Sequence, residues 1–171
     1  MKNNIIVNHD ISEFSDLDYN AATVNEHYLN KFVAAGHDKN RMTLFNYFEP
    51  SPMPEVVNEI KQYFMFLENV TAAINLITPG NYLPYHSDLY ERWMQIFNIP
   101  PEKIDRIYRY IVMLEDSLPG QIIQIGDESH SKWQAGDFFS WSGATGHAAY
   151  NFSLGNRYSV QITGILPDIY K

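Results

Sequence analysis

The chain contains no cysteine. That removes disulfide frameworks, zinc fingers, iron–sulfur clusters and thiol nucleophiles together, and leaves His, Asp and Glu as the side chains able to hold a metal. Basic residues are scarce: 12 Lys and Arg stand against 20 Asp and Glu, a formal net charge of −8 at pH 7. A protein that grips nucleic acid through its phosphates needs a basic face, and no Lys/Arg-rich run is present, so nucleic acid is not an expected partner. A local basic pocket for a small acid remains compatible with this balance. Long apolar runs are also missing. No stretch approaches the ~20 residues of a membrane-spanning helix, so no membrane partner is expected. The opening ten residues hold only three consecutive apolar ones, Ile5-Ile6-Val7, too few for a secretory leader, and a cytoplasmic location is the plain expectation. Repeats, low-complexity tracts and Gly/Ser linkers are absent.

What is present is ample apolar material. Hydrophobic residues make up 45% of the chain and aromatics 15%, which excludes the disordered class. A length of 171 residues fits one domain, 1–171. The pattern changes near residue 70. Before it lies mixed, helical support: Ile5-Ile6-Val7 suits a short strand, and 51–67 reads as a helix because Val56, Val57, Ile60, Phe64 and Leu67 fall on one side of a 3.6-residue period. From 71 to 165 the chain breaks into short β-like runs at 72–77, 110–114, 121–125, 137–141, 147–152 and 158–165, divided by turns such as Leu118-Pro-Gly120 and Gln134-Ala-Gly136. One helical insertion, 89–109, interrupts the series, with Trp93, Met94 and Phe97 on one face. Tyr90, Trp93 and Phe97 suit either a lid or a packing face. The expected fold is α+β, mainly β: a jelly-roll core with N-terminal supporting helices.

Two stretches carry chemistry. In Thr78-Pro-Gly-Asn-Tyr-Leu-Pro-Tyr-His-Ser-Asp88, His86 and Asp88 stand two apart, and in extended chain residues i and i+2 share a face. Such a pair arises by chance often enough that a turn histidine bonded to Asp88 is a fair rival reading. The second stretch is Asp137-Phe-Phe-Ser-Trp141, whose small-residue loop Ser142-Gly-Ala-Thr-Gly146 delivers His147 at the head of a strand. Ten residues on comes Arg157, with Ser159 facing the same way. If 153–156 is a hairpin turn, the Arg157 strand runs back beside the His147 strand and sets the guanidinium deeper in the barrel. Arg suits a bidentate grip on a carboxylate. His130 is the main rival for a third ligand, although a solvated loop fits it better. His9, His27 and His37 lie in polar surroundings and receive no role.

The ordered set His86-x-Asp88, His147 and Arg157-x-Ser159 resembles the Fe(II)/2-oxoglutarate-dependent oxygenases, with the prolyl-hydroxylase-like branch nearest in flavour, over about residues 72–165. The resemblance implies a double-stranded β-helix. It further implies His86, Asp88 and His147 as iron ligands, and Arg157 with Ser159 as the anchor for the far carboxylate of 2-oxoglutarate. Leu118-Pro-Gly-Gln-Ile-Ile-Gln-Ile125 is similar to the family's Gly-rich strand opening but lacks its second Gly. Tyr82, Tyr110 and Arg109 are candidate helpers for the cosubstrate. Two His and one carboxylate leave open positions on Fe(II) for 2-oxoglutarate and O2. The implied reaction converts 2-oxoglutarate to succinate while hydroxylating an amino-acid, peptidyl or small-metabolite substrate. The carboxylate at 88 favours hydroxylation over halogenation, which needs that position vacated. Two readings compete: a cupin-like metalloenzyme without 2-oxoglutarate, and a metal-free jelly-roll binding module.

Overall fold

A computed structural model describes residue 5 and residues 10–170; Ile6 and Val7 of the proposed first strand, and His9, lie outside the described residues. Among the described residues, ten strands form two antiparallel sheets. The larger holds β1 (Asn20–Ala22), β2 (Leu44–Phe48), β3 (Glu68–Ile77), β10 (Arg157–Ile165), β5 (Ile107–Met113) and β8 (Phe138–Ser142), in that spatial order. The smaller holds β4 (Tyr82–His86), β9 (His147–Asn151), β6 (Gln121–Ile125) and β7 (Glu128–His130). From β3 onward the chain changes sheet at every connection except β6 to β7. This winding is a double-stranded β-helix, and the fold class expected from the short punctuated runs is the one observed.

Alternation explains the two sides of the large sheet. On β10, Tyr158, Val160 and Ile162 point outward and pack with Ile74, Val112 and the helix residues Val56, Val57 and Ile60 in one apolar cluster. Burying that face is the main stabilising term, at ~25 cal/mol per Å² of apolar surface. The opposite parity, Arg157, Ser159 and Gln161, faces the small sheet and the cavity between the layers.

Several boundaries differ from the sequence expectation. The helix expected over 51–67 is α3, Glu55–Gln62, preceded by α1 (Ser12–Ser15) and α2 (Glu26–Ala34). Pro54 caps α3 from outside it. Beyond Gln62 the bonds tighten to i→i−3 (Phe64 N–H to Lys61 O, Leu67 N–H to Phe64 O), so Phe64 and Leu67 still reach the core from turns. The insertion at 89–109 contains α4 (Glu91–Ile96) and a 3-10 turn (Pro101–Arg106), but Ile107, Tyr108 and Arg109 already belong to β5. Tyr90 and Met94 pack with Ile107, and the Trp93 indole donates to Thr71 Oγ1 at 3.1 Å, so the insertion is docked on the sandwich.

The hairpin expected between His147 and Arg157 is a crossover. Strand β9 is bonded on one edge by β4 and on the other by β6, so neither edge is open to β10, which pairs with β3 and β5 instead. Fully buried Asn151 pins the crossing: its amide donates to Ile77 O (2.6 Å) and Gly155 O (2.9 Å), and its oxygen accepts from Ser153 Oγ (2.6 Å).

Candidate functional site

The end of β4 and the head of β9 lie side by side, with His86 opposite His147 in register. Asp88 follows β4 by two residues and turns back toward both rings. Ligand atoms of His86, Asp88 and His147 all lie within 4.8 Å of one another, a group suited to holding a metal ion. The His147 Nε2 is 3.3 Å from Asp88 Oδ2, and the His86 Nε2 is 4.0 Å from Oδ1. Each imidazole is oriented in the same way. The Nδ1 of His86 is 2.8 Å from Pro84 O, and that of His147 is 3.0 Å from Thr145 O. A carbonyl oxygen only accepts, so each Nδ1 carries the proton and each Nε2 presents a lone pair to the cluster. The Trp141 ring packs on His147 with centroids 4.4 Å apart.

Electrostatics keep this group ready for a cation. Burial drives the His147 pKa down to about 4 against the opposing pull of Asp88, and burial also lowers that of His86. Both rings are therefore neutral at pH 7. For Asp88, burial acts to raise the pKa, but the Arg109 guanidinium and the neighbouring histidines outweigh it, and the carboxyl sits below its usual range. Arg109 Nη1 donates to Asp88 Oδ2, and its guanidinium carbon stands 5.0 Å from the Tyr90 ring centroid.

Arg157 enters the same cavity from β10. It is 3% exposed, donates from Nη1 to Ile122 O (3.0 Å) and Tyr150 O (3.4 Å), and lies 5.3 Å from the Trp133 ring centroid. Among the described residues no carboxylate pairs with it, and its Nε is buried without a partner. Burial lowers its pKa to about 10, so it stays charged at neutral pH. Ser159 lines the cavity beside it, as do His86, Asp88, His147 and Arg109. The cavity measures about 140 Å³, comparable with an engineered cavity of ~150 Å³ that accepts benzene. That scale suits a small acid.

Of the remaining candidates, the tyrosines and His130 are not brought to this cavity. Tyr110 has the wrong parity on β5 and packs outward against Phe64 and Phe138. The Tyr82 hydroxyl is 2.9 Å from His37 Nδ1, and its ring stacks with Tyr150 on the far side of the small sheet. Arg109 does reach the cavity, but toward Asp88. His130 sits on β7, 3.7 Å from Glu128 and against Phe139, outside the cluster. Sequence reasoning missed Gln161 and Asn75, whose side chains bond at 3.3 Å in the cavity wall. Gln161 was within reach, being two residues beyond Ser159. Thr23 and Leu44, which close one side, come from β1–β2 surroundings that no local signal ties to the site.

No family model and no curated protein matches this sequence. Solved structures with a related shape include a cupin domain from Bordetella pertussis (12% identity, TM-score 0.42, 71% of this chain and 92% of that one). Others are a predicted oxalate decarboxylase from Thermotoga maritima (10% identity, TM-score 0.43, 72% and 82%), and a conserved double-stranded β-helix protein from Klebsiella pneumoniae (11% identity, TM-score 0.40, 58% and 70%). These are cupin and double-stranded β-helix proteins. At such scores they carry no argument about chemistry, and the strand order itself establishes the fold. No helix among the described residues is long and apolar enough to cross a membrane.

Proposed function

We propose that this chain is an Fe(II)- and 2-oxoglutarate-dependent oxygenase in which His86, Asp88 and His147 hold the iron. The observation that carries the reading is Arg157: a buried, charged guanidinium with no acidic partner among the described residues, lining the same small cavity as a His/Asp/His cluster. An isolated buried charge is costly, and a small dicarboxylate with one end at the cluster and the other at Arg157 and Ser159 offsets that cost. When bound, Fe(II) with 2-oxoglutarate and O2 supplies oxidising power for a C–H bond, one oxygen atom going to succinate and the other to the substrate, with loss of CO2.

The chain's own residues position and shield. Pro84 O and Thr145 O fix both imidazole tautomers. Arg109 holds Asp88 ionised and in place, as partners of metal ligands commonly do. The Arg157 N–H donors and the Ser159 hydroxyl grip the far carboxylate, and Ile77, Ile111 and Ile123 give the cavity apolar walls that limit water. Asp88, as a carboxylate, fills the position that halide transfer would need vacated, which favours hydroxylation.

Anaerobic addition of Fe(II) and then 2-oxoglutarate should give a weak visible charge-transfer band, lost in His86→Ala. Metal binding without the band would instead indicate a cupin-like enzyme that does not use 2-oxoglutarate. Absence of metal binding would indicate a binding module. With the band present, succinate release against amino acids, peptides and small acids reads the substrate class.

A further inference from the structure

A second cavity, about 500 Å³, opens beside the first. That volume lies in the range of small-molecule sites, ~300–1,000 Å³. Its floor continues the inner face of the large sheet. Along β10, Arg157, Ser159 and Gln161 line the first cavity, whereas Gln161 and Thr163 line the second; Arg109 lines both. Residues two apart on a strand are about 7 Å apart, so one row of side chains leads from the proposed cosubstrate anchor past the cluster into the second space. Its walls are apolar: Ala73, opposite Gln161 in register, and Trp93, Ile96 and Phe97 from the insertion. Trp93 is held against the sheet by its bond to Thr71, and its ring lies 4.9 Å from that of Phe97.

The charges at the rim are unequal. Glu49 is taken up by Lys61 (2.7 Å) and the Ala72 N–H (3.0 Å). Exposed Arg92 makes no ion pair among the described residues. We infer that this cavity is the substrate site of the proposed oxygenase, and that the substrate is a small monocarboxylate with an apolar alkyl or aryl body. The body lies between Ala73 and Phe97, its carboxylate meets Arg92, and the carbon to be oxidised points past Gln161 toward His86, Asp88 and His147. The inference rests on the oxygenase reading for the word substrate. The shape and charge of the site rest on the cavity alone.

The test measures binding calorimetrically, using straight-chain carboxylates from butanoate to decanoate with the Co(II)-loaded protein. Affinity should rise about fourfold per methylene until the cavity is full. Ala73→Trp, which fills the floor, should weaken octanoate at least tenfold with Co(II) affinity unchanged. Ile96→Glu offers an independent variant at an exposed position, where folding is not at stake, and should have the same effect. Arg92→Gln should erase a two- to fivefold preference for octanoate over octan-1-ol, the scale of an exposed ion pair. Binding independent of chain length, or untouched by both Ala73→Trp and Ile96→Glu, overturns the inference. Equal binding of alcohol and acid overturns its carboxylate part. The oxygenase reading fails separately: the wild-type protein would then give no anaerobic Fe(II)/2-oxoglutarate band even while octanoate bound.

Discussion

Two arginines enter the same cavity and differ in their company. Arg109 has a carboxylate within bonding reach, Asp88, and an aromatic face in Tyr90. Arg157 is more deeply buried and also lies over an aromatic ring, that of Trp133, but its hydrogen bonds go only to two backbone carbonyls. The Nε of each is buried without a partner, but the first cation has its counter-ion within the protein and the second has none among the described residues. Stability alone explains the former arrangement well and the latter poorly, since a lone buried charge is among the more costly features a fold can keep. Under the proposed oxygenase reading, this difference gives Arg109 a positioning role and Arg157 a ligand-binding one.

The sharpest way to break this comparison is Arg157→Met. It should weaken 2-oxoglutarate binding to the metal-loaded protein by about 100-fold or more, since a buried carboxylate loses a charge-assisted partner. The thermal midpoint of the metal-free protein should hold or rise. A lower midpoint with unchanged 2-oxoglutarate affinity would make Arg157 structural.

The second effect concerns the imidazoles that face these arginines. His147 has an ordinary pKa of 6.5 when unfolded and about 4 when folded. As pH falls through that window the unfolded chain takes up the proton first. The stabilising contribution is therefore complete above pH 6.5 and fades toward pH 4, by at most about 3 kcal/mol. Urea unfolding at several pH values should show this slope, and His147→Gln should flatten it. A slope unaltered in the variant would place its origin elsewhere.

Arg109→Met leaves Asp88 without its counter-ion. Because the pair is partly exposed, the loss should be about 1–2 kcal/mol, below that for a fully buried pair. Added Co(II) should recover much of it by supplying another positive partner, measurable as a metal-dependent shift in unfolding midpoint. No metal-dependent recovery would separate Arg109 from the cluster.

The smallest effect expected on ligand binding is that of Gly120→Ala. Gly120 has φ +96°, and a Cβ there would stand 2.8 Å from Phe152 O. A cost of about 1–3 kcal/mol follows from the backbone strain. The change lies on the turn that meets the crossing into β10, so it should loosen 2-oxoglutarate binding at the Arg157 end while leaving Co(II) affinity at the histidine end intact. Equal losses at both ends would show that the two behave as one unit.

Much of this was legible in the sequence where the signal was local. His86 and Asp88 lie two apart, close enough in sequence to meet, although Asp88 does so from just beyond the end of β4. The runs after residue 71 announced a sandwich because turn residues punctuate them. Pairing between distant strands left no such trace. The crossing after Asn151 looked like a hairpin because its length and composition suit one; what decides the matter is that β4 and β6 already occupy both edges of β9. Tyr110 is a candidate cosubstrate helper on the family resemblance alone, yet one residue of register turns it outward and Arg109 inward. The short strands at 20–22 and 44–48, which bring Thr23 and Leu44 to the cavity, carry too few residues to show a period.

The carbonyls of Pro84 and Thr145 have a broader consequence. Each sits two residues before the imidazole it orients, within the same stretch of main chain. The direction of both ring nitrogens is thus set largely by local main chain, a strand carbonyl for His86 and a loop carbonyl for His147. Substitutions can reshape the walls, widen the neighbouring cavity or exchange the rim charge while both nitrogens keep their aim. Such a centre is free to change what it accepts without relearning how to hold what it uses.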